Sequence, residues 1–318
     1  MRAALAPGVV LLALAAQGHP SAGAVPAESA ATAQLATAAR HVDRSQLMRD
    51  IATLASSTFE GRGTGAPGGL RARQWIVERF SRIGLAPAVQ GGYLQPFTVT
   101  GGYRAANVIG RTSAREPGAA TLVITAHYDH FGIRNGVPYP GADDNASGVA
   151  VLLAAARHFT ADPPRHPMVF AALDAEELGL HGARTLVQSS LLPRGRVALN
   201  VNLDMLSRSD ANEIYAAGTS YAPWQMPILR DVQTRASVRI LFGHDRPAGS
   251  AGGRDDWTNL SDHGAFHAAG IPFVYFGVED HPDYHRPTDT LDRIEPRFFG
   301  NVADMVVEAI RTFDARLP

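Results

Sequence analysis

Four short apolar runs dominate the reading, because each ends in acids or histidines. Leu122–Ala126 is followed by His127, Asp129 and His130, and Met168–Leu173 by Asp174, Glu176 and Glu177. Val197–Leu203 is followed by Asp204, and Phe273–Phe276 leads into Glu279, His281, Asp283 and His285. Such runs read as buried strands. Further strands are expected at Asn107–Gly110, Glu213–Ala216 and Arg239–Phe242. Between them lie stretches of helical periodicity at Asp43–Ala55, Leu70–Ile83, Ala146–Phe159, Leu180–Gln188, Trp224–Ala236, His263–Ala269 and Glu295–Phe313. The glycine-dense segment Ser56–Gly69 reads mainly as a loop. Alternating strands and helices predict an α/β fold, a mostly parallel twisted sheet with helices on both faces. Sites in such sheets form outside the carboxyl ends of the strands. Four strands would deliver acids or histidines to that one edge, and Gly141–Asn145, with Asp143 and Asp144, would sit there ahead of a helix.

Composition removes competing chemistries. The 318 residues include no cysteine, and all 29 basic residues are arginine. There is thus no thiol nucleophile, disulfide or thiolate metal cage. The lack of lysine excludes Schiff-base enzymes, Walker-A ATPases and Ser–Lys hydrolases. A formal net charge of −1 with mixed signs argues against a nucleic-acid partner.

The amino-terminal residues resemble an export signal. Arg2 precedes the apolar Val9–Ala16, and Ala22-Gly23-Ala24 offers an A-x-A cleavage site. The apolar run is about half of the ~20 residues a membrane helix needs, so stable membrane insertion is not expected. The expected organisation is a signal peptide over 1–24, a flexible segment over 25–42 and one domain over 43–318. Cleavage near Ala24 would leave a periplasmic or extracellular protein.

Imidazoles and carboxylates without thiolates suit zinc, cobalt or manganese. In a His-x-Asp pair the ring binds metal through one nitrogen while a carboxylate can hold the other N–H. Adjacent glutamates diverge, so one can reach a metal while the other stays free for proton transfer. A carboxylate on a tight turn, such as Asp144, can offer one oxygen to each of two ions ~3.5–4 Å apart.

From about Phe59 to Leu291 the chain resembles the M28 metallopeptidases, the di-zinc aminopeptidase group. The resemblance rests on Glu60-Gly61-Arg62-Gly63-Thr64-Gly65, His127-Tyr128-Asp129-His130 and Gly141 to Gly148. It continues in Asp174 to Gly179, Asn202-Leu203-Asp204-Met205, Ser261-Asp262-His263 and Tyr284 to Thr290. It implies two zinc ions per chain, one on His127 and Asp204, the other on Glu177 and His285, with Asp144 bridging. It further implies that Glu176 is the general base, that Asp129 supports His127, and that Tyr284 hydrogen-bonds the tetrahedral intermediate. The implied activity is exopeptidase removal of N-terminal residues from peptides through a metal-bridging hydroxide. Many relatives carry a protease-associated domain before the first histidine strand; only about 25 residues separate Gln95 from Leu122 here, too few for it.

The remaining candidates read more plainly. His130, His263, His267 and His281 are expected at the surface or behind the ligands, and Asp143, Asp262 and Asp289 as loop-fixing acids. Gly63–Gly68 fits G-x-G-x-x-G but follows no strand and contains Pro67, so it is not a dinucleotide loop. Ala248–Gly252 lacks the first glycine of a serine-hydrolase elbow. Trp224, Trp257, Phe242 and Tyr221 could line a substrate pocket. A glutaminyl cyclase-like single-zinc acyl transferase, a carboxypeptidase or dipeptidase, and a non-catalytic binding module on the same fold are the alternatives. Oligomeric state is left open.

Overall fold

The computed structural model describes residues 40–193, 195–246 and 256–318. The signal segment 1–24, most of the 25–42 stretch and the Ala248–Gly252 motif lie outside them. In chain order the helices are α1 (Arg44–Leu54), α2 (Pro67–Ile83), α3 (Gly148–Ala161), α4 (His181–Gln188), α5 (Gln225–Gln233), α6 (His263–Ala268) and α7 (Pro296–Arg316). The strands are β1 (Ala86–Pro87), β2 (Leu94–Thr98), β3 (Arg104–Arg111), β4 (Thr121–His127), β5 (Ile133–Arg134), β6 (Val137–Pro138), β7 (Met168–Leu173), β8 (Val197–Leu203), β9 (Glu213–Ala217), β10 (Arg239–Phe242) and β11 (Phe273–Gly277).

Among the described residues the main sheet runs β1-β3-β7-β4-β8-β11-β9-β10, with β2 added on β3. Its centre, β7-β4-β8-β11, is parallel throughout. These are the four strands whose apolar runs end in acids or histidines, so their carboxyl ends share one edge. Antiparallel pairing is confined to the flanks, at β1–β3, β2–β3, β3–β7 and β9–β11. The expected α/β architecture with a mostly parallel central sheet is what the fold has.

Side-chain alternation supplies the two cores. Leu122, Ile124 and Ala126 of β4 point into the larger one, with α1, α2, α3, α5 and α7. Val123 points the other way, with Ala183 and Leu186 of α4 and Phe266 of α6. Helix α3 is nearly all apolar and is buried almost round its circumference, as a helix enclosed between sheet and outer helices must be. Helix α7 covers it with Phe299, Val302, Val306, Ile310 and Phe313, an i, i+3, i+4 stripe.

The segment expected as a loop over Ser56–Gly69 is shorter. Ser57–Arg62 forms 3₁₀ turns, and α2 begins at Pro67. Proline suits a first helical position, because its missing N–H would have no partner there. The helix stops at Gly84, whose left-handed φ of 90° lets its N–H reach the carbonyls of Phe80 and Ser81.

Candidate metal centre

His127 closes β4 and Asp204 follows β8, so the β4–β8 register sets them side by side. His127 Nε2 lies 3.2 Å from Asp204 Oδ1 and 3.5 Å from Asp144 Oδ1. The other ring nitrogen, Nδ1, lies 3.2 Å from the Asp129 main-chain carbonyl and 3.9 Å from the Asp129 carboxylate. The carboxylate accepts from the Glu176 N–H at 3.0 Å and from the Thr64 hydroxyl at 3.1 Å. Asp129 therefore joins the His127 strand end to the loop carrying both glutamates.

Asp144 sits in the irregular turn Ala142–Ser147, outside helical φ and ψ. That turn is tied down at several points. Asp289 accepts from the Asp143 and Asp144 N–H groups at 3.0 Å, and Asn145 Nδ2 donates to Leu203 O at 2.9 Å. Gly141 enters the turn at φ 56°, and a Cβ there would lie 2.0 Å from Asp144 O, so no side chain fits. Asp143 faces away from the cluster, accepting from Ser207 N at 2.8 Å, with His281 Nε2 at 3.1 Å.

On its other side, Asp144 Oδ2 lies 3.2 Å from His285 Nε2 and 3.7 Å from His130 Nδ1. Glu177 completes this half, with Oε1 2.6 Å from His130 Nδ1 and Oε2 3.7 Å from His285 Nε2. His130 is fully buried, and its Nε2 has no partner among the described residues. His130, expected at the surface or behind the ligands, thus stands against Glu177 and Asp144; a histidine three residues beyond a strand carries no periodic signal of burial. Two donor groups result: His127, Asp144 and Asp204, and His130, Asp144 and Glu177. Within each, the ligand atoms lie within 4.8 Å of one another, and Asp144 belongs to both.

Glu176 lines a cleft of about 400 Å³ together with His127, Asp144, Glu177, Asp204, His285 and Tyr284, with Trp257 and Leu260 on its wall. Of the four aromatics suggested for a pocket, Trp257 lines it; Trp224 instead meets Phe313 of α7 edge-on at 6.0 Å. Tyr284 stacks on His285 with ring centroids 3.7 Å apart. Burial raises its hydroxyl pKa, with Asp144 and Asp204 adding to the shift, so the group remains a donor. Asp262 is buried with both oxygens lacking partners among the described residues, and burial lifts it to about 7.

Charge crowding calls for a cation. Like charges 4 Å apart repel by about 4 kcal/mol at an effective dielectric of 20. Without a cation, bound protons would relieve it. Burial raises Glu176 well above the carboxylate range and raises Glu177 too. Burial would lower His127, but Asp204, Glu176 and Asp144 outweigh it and hold the ring well above the histidine range. Asp204 runs the other way: burial would raise it, but His127 pulls it down. Nitrogen and oxygen donors grouped around a shared carboxylate fit divalent cations such as zinc.

These shifts have a pH consequence. A raised folded-state pKa stabilises the fold below the unfolded value, and the gain is lost as pH rises through the folded value. The unfolded values are ~4.3 for glutamate and ~6.5 for histidine. The metal-free protein is therefore expected to lose thermal stability from about pH 5 upward through neutrality, opposed by Asp204 and, up to the ordinary histidine range, by His130, whose pKa burial lowers to about 3. The melting-temperature gain on adding zinc should grow over the same range, because ligands shed protons to bind. Melts of chelator-treated and zinc-loaded protein between pH 5.5 and 8.5 check this; a pH-independent zinc increment contradicts it.

The profile of peptidase family M28 matches residues 107–310, which span β3 to α7 and every side chain of the cluster. The chain belongs to peptidase family M28. Among similar proteins, the aminopeptidase YwaD of Bacillus subtilis is 33% identical over 202 residues, which are 59% of this chain and 40% of YwaD. The chain spans about half the length of the curated relatives it matches. Its fold resembles LapB of Legionella pneumophila with a TM-score of 0.68 at 21% identity, covering 92% of this chain and 76% of LapB. It also resembles the glutaminyl cyclase of Porphyromonas gingivalis with a TM-score of 0.68 at 16% identity, covering 86% of this chain and 99% of the cyclase. At those identities the likeness is one of fold.

Proposed function

We propose that this M28 chain is an exported di-zinc aminopeptidase that removes N-terminal residues from peptides. The observation that carries the reading is the sharing of Asp144 by two donor groups beside a glutamate, Glu176, that belongs to neither. In this reading His127 and Asp204 hold one zinc, Glu177 and His285 the other, and Asp144 both; His285 takes the place of His130 in the second group because its Nε2 lies 3.2 Å from Asp144 Oδ2, whereas His130 Nδ1 lies 3.7 Å from that oxygen and 2.6 Å from Glu177 Oε1. YwaD is named an aminopeptidase, which supports the direction of attack.

Zinc bound there would supply Lewis acidity, polarising the scissile carbonyl and making a water easier to deprotonate. The chain's own groups do the rest. Glu176 takes the proton of the attacking water and returns it to the leaving amine. Tyr284 donates its O–H to the developing oxyanion. Asp129 holds the Glu176 main chain and the far side of the His127 ring.

Residues 43–318 are taken as one metallopeptidase domain. β3 and a short connector occupy the stretch from Arg104 to Thr121, which supports the absence of an inserted protease-associated domain. Residues 1–24 are taken as the export signal. A Mycobacterium tuberculosis relative, 29% identical over 227 residues, is named a probable lipoprotein aminopeptidase, which is compatible with export. Among the described residues no helix is long and apolar enough to cross a membrane.

The test is the direction of attack. Aminoacyl anilides and free-amine peptides should be cleaved, and N-acetylated forms should be turned over at least 10²-fold more slowly, a loss of roughly 2.7 kcal/mol in transition-state stabilisation. Equal turnover of blocked peptides would indicate an endopeptidase or carboxypeptidase. Cyclisation of N-terminal glutamine without hydrolysis would indicate the glutaminyl cyclase-like alternative. Binding without turnover of any of them would indicate a non-catalytic module.

A further inference from the structure

Arg62 lies in the Glu60–Gly65 motif, far in sequence from the residues assigned above, yet it is fully buried behind them. All five of its guanidinium N–H donors go to main-chain carbonyls. Nε donates to Tyr128 O at 2.8 Å. Nη1 donates to Leu54 O at 2.9 Å and Pro140 O at 2.6 Å. Nη2 donates to Gly141 O at 2.8 Å and Asp144 O at 3.3 Å. A buried charge ordinarily takes an acid as its direct partner. Arg62 makes no such ion pair among the described residues, although Asp144, Asp289, Asp129 and Glu177 act on it at longer range.

The carbonyls belong to distinct segments. Tyr128 stands between His127 and Asp129. Pro140, Gly141 and Asp144 form the turn that presents the shared carboxylate. Leu54 ends α1. One planar fork thus joins the first ligand strand, the Asp144 turn and an outer helix. The neighbouring motif residues make the approach possible. A Cβ on Gly61 would lie 2.3 Å from Tyr139 O, so only glycine fits there. Thr64 Oγ1 lies 3.1 Å from carboxylate oxygens of both Asp129 and Asp174. Gly63 pairs with His130 as a parallel bridge.

We propose that Arg62 is a positioning residue of the metal centre: its guanidinium fixes the Tyr128 and Gly141–Asp144 backbones relative to each other before metal binds. Its charge also offsets the surrounding acids in the metal-free protein. The inference rests on the two-metal reading above.

The test compares Arg62→Lys, which keeps the charge but loses the fork, with wild type and Arg62→Met. Zinc affinity is measured by chelator competition, and melting temperature is measured with and without zinc. In Arg62→Lys, zinc affinity should fall by roughly 10–100-fold, the usual cost of losing a group that orients ligands. Arg62→Met should bind zinc more weakly still. If Arg62→Lys melts earlier but its zinc titration superimposes on that of wild type, Arg62 is a strut of the fold and the proposal fails.

Should neither variant fold, hydrogen exchange of metal-free wild type decides. Amides of residues 128–132 and 139–146 should be as protected without zinc as with it. Free exchange until zinc is added would show that the metal orders the turns, and would overturn the proposal. A wild type that binds no zinc at all instead refutes the two-metal reading.

Discussion

Glu176→Gln is expected to abolish most turnover while leaving the centre assembled. The amide keeps the shape of the side chain and cannot accept the proton of the attacking water. kcat should fall by roughly 10²–10⁴, the usual worth of a general acid–base group, with KM little changed. Zinc content and melting temperature should stay at wild-type values, because Glu176 stands outside both donor groups. Glu177→Gln is the control. Glu177 lies against His130 and His285, and a neutral amide there should cost one zinc and the stability that zinc confers. Steady-state kinetics beside metal analysis separates the two. If Glu176→Gln loses metal and Glu177→Gln keeps it, the roles are exchanged.

Asp144→Asn should do more damage to binding than any other single change. Asp144 is the one residue common to both groups, with its two oxygens directed at different histidines. Its replacement removes a ligand from both ions at once and leaves Asp204 and Glu177 without the cations that offset them. Zinc affinity should fall by more than the ~10²-fold that follows loss of an outer hydrogen-bonding partner. Activity should disappear at ordinary zinc concentrations. Equilibrium dialysis followed by metal analysis checks this; an Asp144→Asn protein that retains two tightly held ions contradicts the shared-ligand geometry.

The parts of this molecule that could be read from sequence are those where local pattern and tertiary role coincide. β7, β8 and β10 begin and end where expected; β7 is buried at every position and so has none exposed to blur its limits, whereas β10 lies at the sheet edge with Arg239 exposed. β2 was not readable. Its LQPFT sequence contains Pro96, which argues against a strand, yet it pairs on β3 alone and so tolerates the missing N–H. The start of α2 differs from expectation for a related reason: Gly68 and Gly69 favour a loop, while Pro67 at the first helical position is the stronger signal.

The acids and histidines were legible because strand ends carry them to one edge, a consequence of topology alone. Which histidine is buried was not legible. His130 and His285 both approach Glu177, and only packing shows that the first is enclosed and the second is more than a third exposed. Arg62 is the extreme case. Its role depends on five carbonyls from three separate segments, and no spacing in the sequence encodes them.

The measurement that bears most directly on the whole account is the number of zinc ions bound per folded chain, followed together with peptidase activity as zinc is added back to metal-free protein. The account predicts two equivalents, no turnover in the metal-free form, and activity that rises with occupancy. Full activity without metal, or a single tightly bound ion with no further binding at saturation, would contradict it.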